Sequence, residues 1–221
     1  MSEPSLIGSG READVYALDG GRVLRRNRNG RDVSAEAAVM AYVHSRGFPV
    51  PAVHDAMGPD LILERVDGPT MLHALTTGAI EIEAAARVLA DLHHRLHALP
   101  AAGSEDPDVR ILHLDLHPDN VLLGRAGPVL IDWRNATEGP PDRDLAVTAL
   151  ILAQVAVDER HAHAADATVL LRHFLECAGG EPAAELANAV AFRRSDPTQT
   201  AREIRSLVVA AALVRASINT A

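Results

Sequence analysis

Lysine is absent from this 221-residue chain: all 21 basic residues are arginine. Any step that calls for a lysine must therefore be run by arginine, whose planar guanidinium does not replace an ammonium at a fitted site. Aromatic residues make up only 3%, too few for a nucleic-acid platform that stacks bases on rings. The single cysteine, Cys177, excludes an internal disulfide framework and any cysteine-rich zinc site, and it fits a reducing compartment. Within a helical pattern, Cys177 is expected to be a packed small side chain. The longest apolar stretches, 149–157 and 207–214, fall well short of the roughly 20 residues that span a bilayer. Residues 1–10 lack the basic and apolar regions of a secretory signal. These absences lead to the expectation of a soluble, cytoplasmic protein with no membrane partner.

What is present describes a folded protein. Residues are 48% hydrophobic and 23% charged, enough to bury a core, over a length suited to one domain or two small lobes. The net charge of −9 is concentrated beyond residue 66, which repels phosphate backbones and excludes a nucleic-acid partner. Residues 15–18 and 22–26, on either side of Asp19-Gly20-Gly21, read as a hairpin. A helix is predicted over 33–45, stopped by Gly47 and by Pro49 and Pro51. The apolar run 61–63 leads into a connector ending in Gly68-Pro69. Beyond it, residues 80–99 predict a long amphipathic helix, 121–123 and 129–131 a small hairpin, and 144–157, 161–178, 182–193 and 199–218 four further helices. The expected architecture is α+β and two-lobed: a small strand-rich lobe with one helix over 1–66 and a mainly helical lobe over 67–221.

The most informative stretch is His113-Leu114-Asp115-Leu116-His117-Pro118-Asp119-Asn120, followed by Ile131-Asp132-Trp133. The loop precedes the first arm of the predicted hairpin and Asp132 follows the second, so Asp115, Asn120 and Asp132 should meet at one end of a rigid two-stranded unit. Two carboxylates and an amide oxygen are hard ligands suited to Mg²⁺, with nucleotide phosphates completing its shell. A carboxylate left off the metal can orient or deprotonate an attacking hydroxyl.

This loop resembles the catalytic loop of protein kinases, His-x-Asp-x4-Asn, and Ile131-Asp132-Trp133 sits where kinases have Asp-Phe-Gly. The His-Pro inside the loop is similar to the aminoglycoside phosphotransferase and choline kinase branch of the protein-kinase-like superfamily, which phosphorylates small molecules. The resemblance covers roughly residues 5–150 and implies ATP and Mg²⁺ as cofactors. It makes Asp115 the catalytic base, Asn120 and Asp132 the metal ligands, and His113 a brace for the loop; His117 and Pro118 set loop shape. Asp144 resembles the acid that opens the next helix, as an N-cap would.

Upstream, Gly8-Ser9-Gly10 resembles the kinase glycine-rich loop, a lid between two strands whose backbone N–H groups approach phosphates. Alignment of Val23-Leu24-Arg25 with the kinase strand motif puts Arg25, rather than Arg26, where a lysine holds the phosphates, with Glu36 as its helix partner. Leu63-Glu64-Arg65-Val66 resembles the hinge, which would give the Glu64 carbonyl and the Val66 N–H to the adenine edge. The short segment 133–142 leaves no room for a regulatory activation loop. The implied activity is transfer of the ATP γ-phosphoryl group to a hydroxyl of a small-molecule substrate of aminoglycoside, sugar or amino-alcohol type. Alternatives are a protein kinase, and a nucleotide-binding pseudokinase without turnover. His93 and His97, four apart on a helix without the His-Glu-x-x-His arrangement, are expected to be a surface or interlobe pair.

Overall fold

The computed structural model describes residues 5–219; the first four residues of the expected small lobe and the last two of the helical lobe lie outside them. Strands β1 (Ser5–Ser9), β2 (Ala13–Leu18), β3 (Arg22–Asn27), β4 (Val53–Met57) and β5 (Asp60–Glu64) form one antiparallel sheet in the order β1-β2-β3-β5-β4. The β2–β3 turn works because Gly20 and Gly21 both take positive φ, 74° and 68°, which side chains resist. Helix α1 (Ser34–Ser45) lies between β3 and β4 in sequence and buries Ala37, Met40 and Val43. Gly47, at φ 77°, lets its N–H return to the His44 carbonyl (2.9 Å) and ends the helix.

After β5 the chain crosses to helices α2 (Met71–Thr76) and α3 (Ile82–His97). Gly68 is required at this crossing: a Cβ there would lie 2.2 Å from the Leu123 carbonyl oxygen. Short pairs follow, β6 (Arg110–Leu112) with β9 (Thr137–Gly139) and β7 (Val121–Gly124) with β8 (Gly127–Leu130). The last four helices are α4 (Pro141–Ala156), α5 (Ala164–Ala178), α6 (Pro182–Ser195) and α7 (Ala201–Ile218). Helix α4 is buried nearly all round, without a break from Asp144 to Leu150 and again at Leu152 and Ala153, because α5, α6 and α7 all pack on it.

One hydrophobic cluster runs through both parts, from Val33, Met40 and Leu61 through Trp133 to Leu150, Phe174 and Val214. Trp133, the only tryptophan, is fully buried with Phe48 edge-on at 5.6 Å. Among the described residues no helix is long and apolar enough to cross a membrane. Cys177 departs from its expectation: it is exposed, on the outer side of α5. Strands β4, β6 and β9 and helix α2 have no counterpart among the expected elements, and β1 is expected only as the strand that leads into the glycine-rich turn. Strands β1 and β4 lie at the two sheet edges, where one row of backbone groups and much of each side-chain face meet solvent, so no apolar alternation marks them.

Candidate functional site

The segment between β6 and β7 is built on backbone constraint. Leu114 adopts φ 59°, a region that costs a non-glycine residue about 1–2 kcal/mol. The turn is held by the buried Asp144 carboxylate, which accepts the N–H groups of His113 (2.9 Å) and Leu114 (2.7 Å). Asp144 does not cap its helix: α4 starts at Pro141 with Pro140 as N-cap. Proline opens the helix at no cost in hydrogen bonds there, leaving the acid inside the first turns to serve a loop 30 residues away. His113 joins its Nε2 to the Ile131 carbonyl (3.1 Å) and meets Trp133 edge-on at 4.8 Å. Burial lowers His113 to about 4, so it braces the loop as a neutral ring. His117 receives the Asp119 N–H on Nδ1 (3.3 Å), and Pro118 opens the single 3-10 turn Pro118–Asn120.

That turn delivers Asn120 to Asp115. The Asn120 Nδ2 donates to the Asp115 carbonyl oxygen (2.9 Å) and to its carboxylate Oδ2 (3.3 Å). Burial raises Asp115 to about 7; Arg193 opposes that rise, and the charge of Asp132 adds to it. Arg193 on α6 sets Nη1 3.6 Å from Asp115 Oδ1 and donates from Nε to Gln154 Oε1 (3.2 Å). Sequence reasoning missed Arg193, which belongs to a helix with no motif and is linked to the loop by tertiary packing alone.

Asp132, directly after β8, is the other non-glycine residue at positive φ, 63°. Arg25 Nη1 donates to Asp132 Oδ1 (3.2 Å) and to Glu36 Oε1 (2.8 Å), while Nη2 engages Glu36 Oε2. Glu36 Oε1 also accepts the Trp133 N–H (3.1 Å). A planar fork can serve three carboxylate oxygens in this way where a lysine would offer one point charge. Arg26, on the other strand face, instead pairs with Asp60 at the surface (2.7 and 2.6 Å). Arg25 Nε is buried without a hydrogen-bond partner among the described residues.

The donor set also suits a hard divalent cation. The Asn120 amide nitrogen is committed to Asp115, which leaves the side-chain oxygen; Arg25 occupies one Asp132 oxygen and leaves the other. Burial raises Asp132, Arg25 opposes this, and the Glu36 charge adds to it, so a cation beside it would relieve an unfavourable charge. Oxygen-only ligation fits Mg²⁺.

Gly8 and Ser9 end β1 and Gly10 opens the turn into β2, with Gly10 N–H on the Ala13 carbonyl (2.9 Å) and Ser9 Oγ on Asp14 Oδ1 (2.7 Å). Arg28 Nη2 collects the Gly10 and Arg11 carbonyls, each at 2.6 Å. The tip reaches the helices: Arg11 Nη2 donates to Glu203 Oε1 on α7 (2.8 Å), and Glu12 pairs with Arg134. A cavity of about 180 Å³ lies beside it, lined by Glu12, Arg31, Arg134, Phe192 and Asp196 among others. The larger cavity, about 230 Å³ between α4 and α7, contains none of Asp115, Asn120 or Asp132. Glu64 closes β5, its N–H on the Ala52 carbonyl (2.9 Å). Val66 is half-buried at the crossing, with its side chain beside Gly124.

His93 and His97 depart from their expectation as a surface or interlobe pair. His93 is fully buried between α3 and α4, and both rings face Asp144.

The solved aminoglycoside phosphotransferase APH(4)-Ia matches with a TM-score of 0.62 at 16% identity, over 99% of this chain and 92% of that one. A thermostable mutant of the same enzyme, in a ternary complex with AMP-PNP and hygromycin B, matches at 0.63 and 15%, again over 99% and 92%. A choline/ethanolamine kinase family protein from Mesorhizobium loti matches at 0.63 and 12%, over 100% and 93%. These likenesses identify the two-lobed, protein-kinase-like α+β fold. No curated protein sequence matches the chain. The model of the phosphotransferase enzyme family matches residues 3–108 and 81–186. A chain with this fold, matched by that model over most of its length, belongs to the phosphotransferase enzyme family.

Proposed function

We propose that this phosphotransferase works in the cytoplasm, transferring the γ-phosphoryl group of ATP to a hydroxyl of a small molecule of aminoglycoside, sugar or amino-alcohol type. Residues 1–66 form the nucleotide-binding lobe and 67–221 the catalytic and substrate lobe. The observation that carries the reading is two clusters joined where Ile131 donates its N–H to the Asn120 carbonyl (2.9 Å): Asp115 in contact with Asn120, and Arg25 tied at once to Glu36 and to Asp132, the neighbour of Ile131. The neighbour bound to AMP-PNP and hygromycin B adds support for a nucleotide and a small-molecule acceptor.

Asp115 takes the proton of the attacking hydroxyl and orients its oxygen in line with the phosphoryl group. Its neighbour Arg193 keeps part of the carboxyl population ionised near neutral pH by opposing the effect of burial. Asn120 and Asp132 hold Mg²⁺, which when bound offsets the charge of the phosphate oxygens. Arg25, steadied by Glu36, supplies positive charge for the α- and β-phosphates. Gly8, Ser9 and Gly10, with the Gly10 N–H held by the Ala13 carbonyl, form the turn that covers the phosphates, and the Glu64 carbonyl and Val66 N–H receive the adenine edge.

Mass spectrometry of a panel of aminoglycosides, sugars and amino alcohols incubated with Mg²⁺–ATP tests the reading. The expected result is a phosphorylated acceptor whose formation falls by about 10²–10⁴-fold in Asp115→Ala. Turnover unchanged by that substitution rejects Asp115 as the base. Nucleotide binding without any product across the panel rejects the transfer itself.

A further inference from the structure

Behind the catalytic loop, His93, His97 and Asp144 bring one potential ligand atom each to within 4.8 Å of one another. His97 Nε2 lies 3.1 Å and His93 Nδ1 3.6 Å from the same Asp144 oxygen, Oδ2. Ligand atoms at about 2.0–2.1 Å from a tetrahedral zinc ion are themselves about 3.3 Å apart, so both distances match edges of such a tetrahedron.

The tautomer of His93 follows from its partners. Thr148 Oγ gives its only hydrogen to the Leu116 carbonyl (2.8 Å). Toward His93 Nε2, 3.0 Å away, the same oxygen can therefore only accept, and Nε2 carries the hydrogen. In the neutral ring, with the hydrogen on Nε2, Nδ1 bears a lone pair. That nitrogen is buried, has no hydrogen-bond partner among the described residues, and faces a carboxylate oxygen. Two acceptors directed at each other with nothing between them form an unfavourable pair that a cation would turn favourable.

The surroundings are those of a built metal site. Ligating histidines ordinarily donate their other ring N–H to an oriented acceptor, as His93 does to Thr148, and ligating carboxylates are themselves hydrogen-bonded, as Asp144 is by His113 and Leu114. His97 retains a small exposure to solvent, which provides an entry path and room for a water as fourth ligand. Two imidazoles and one carboxylate select a borderline ion such as Zn²⁺ over Mg²⁺, which prefers oxygen throughout.

We propose that His93 Nδ1, His97 Nε2 and Asp144 Oδ2 form a second, transition-metal site that takes Zn²⁺ and braces the 113–116 loop from behind. On binding, the His97 hydrogen moves from Nε2 to Nδ1 and none of the three ligands is lost to the loop, since the backbone N–H groups of His113 and Leu114 remain on the carboxylate.

Cobalt titration of chelator-treated protein, with excess Mg²⁺ present to fill oxygen-only sites, tests this. The expected result is uptake of one equivalent of Co²⁺ with the visible bands of tetrahedral coordination, displaced by one equivalent of Zn²⁺. His97→Gln, at the exposed edge of the cluster, should weaken binding by at least about a hundredfold and Thr148→Val by about 10–100-fold, while the double change His161→Ala, His163→Ala leaves it unchanged. The wild-type titration needs no variant to fold: absence of stoichiometric cobalt binding overturns the proposal. Equal affinity in His97→Gln or in Thr148→Val overturns it as well.

Discussion

Asp115 links chemistry and stability through one proton. Its carboxyl titrates at about 7 in the folded chain, with burial as the leading cause, against 3.8 for an ordinary aspartate. Between those values the folded state holds a proton that the unfolded state has lost. The stabilisation from this group is therefore complete below about pH 4 and is lost as the pH rises through 7. The role of base proposed for Asp115 needs the ionised form, so on that proposal activity rises over the same interval in which stability falls. We expect the acid limb of the kcat/KM profile to lie near pH 7 and to move upward in Arg193→Gln, where the ion favouring the carboxylate is gone. In thermal melts, Asp115→Asn should exceed wild type by on the order of 4 kcal/mol at pH 8 and match it at pH 4. An identical pH slope for the two proteins would contradict the burial argument.

The hairpins, the first helix and the later helices were readable at the level of elements because their signals are local. Paired glycines with positive φ make the β2–β3 turn, and apolar spacing makes α3. The edge strands β1 and β4 carry no such pattern and exist because β2 and β5 offer them backbone partners. The crossing from β5 to α2 is also an element-level device. Leu123 donates its N–H to the Pro69 carbonyl (2.9 Å), so β7 lies against the connector, and only a residue without a side chain fits at Gly68. Gly68→Ala should lower stability by roughly 1–3 kcal/mol, the usual range for overpacking, and denaturant unfolding that leaves the midpoint unmoved would refute this.

Across the whole molecule, the sheet and the helical part are joined by buried and by exposed contacts, and these differ in weight. The Arg25–Glu36–Asp132 network is buried and continues into the common core through Trp133. The Arg11–Glu203 pair joins the β1–β2 turn to α7, and the Arg11 side chain is 61% exposed. Exposed pairs contribute less than about 1 kcal/mol and weaken with salt. Arg11→Ala should accordingly leave the global unfolding midpoint almost unchanged. Amide hydrogen exchange at residues 10–12 should nevertheless quicken, with added salt producing the same effect in wild type. Exchange indifferent to both changes would show that the contact does not hold the turn.

The residues of the loop 113–120 and of 131–133 could be set together from the order of amino acids, because short spacing along a hairpin dictates which side chains share an end, whereas Arg25 and its partner Glu36 were singled out by resemblance to the kinase strand motif. Contacts that close over long stretches of chain were not. Asp144 reaches the loop across 30 residues, Arg193 reaches Asp115 from a helix with no motif, and Arg11 meets Glu203 at a separation of 192. His93, which spacing alone suggested was at the surface or between the lobes, is buried because α5 and α4 cover the face of α3 that carries it. Local stereochemistry and hydrophobic period are properties of the chain itself. Which charge meets which across the core is decided only when the helices pack.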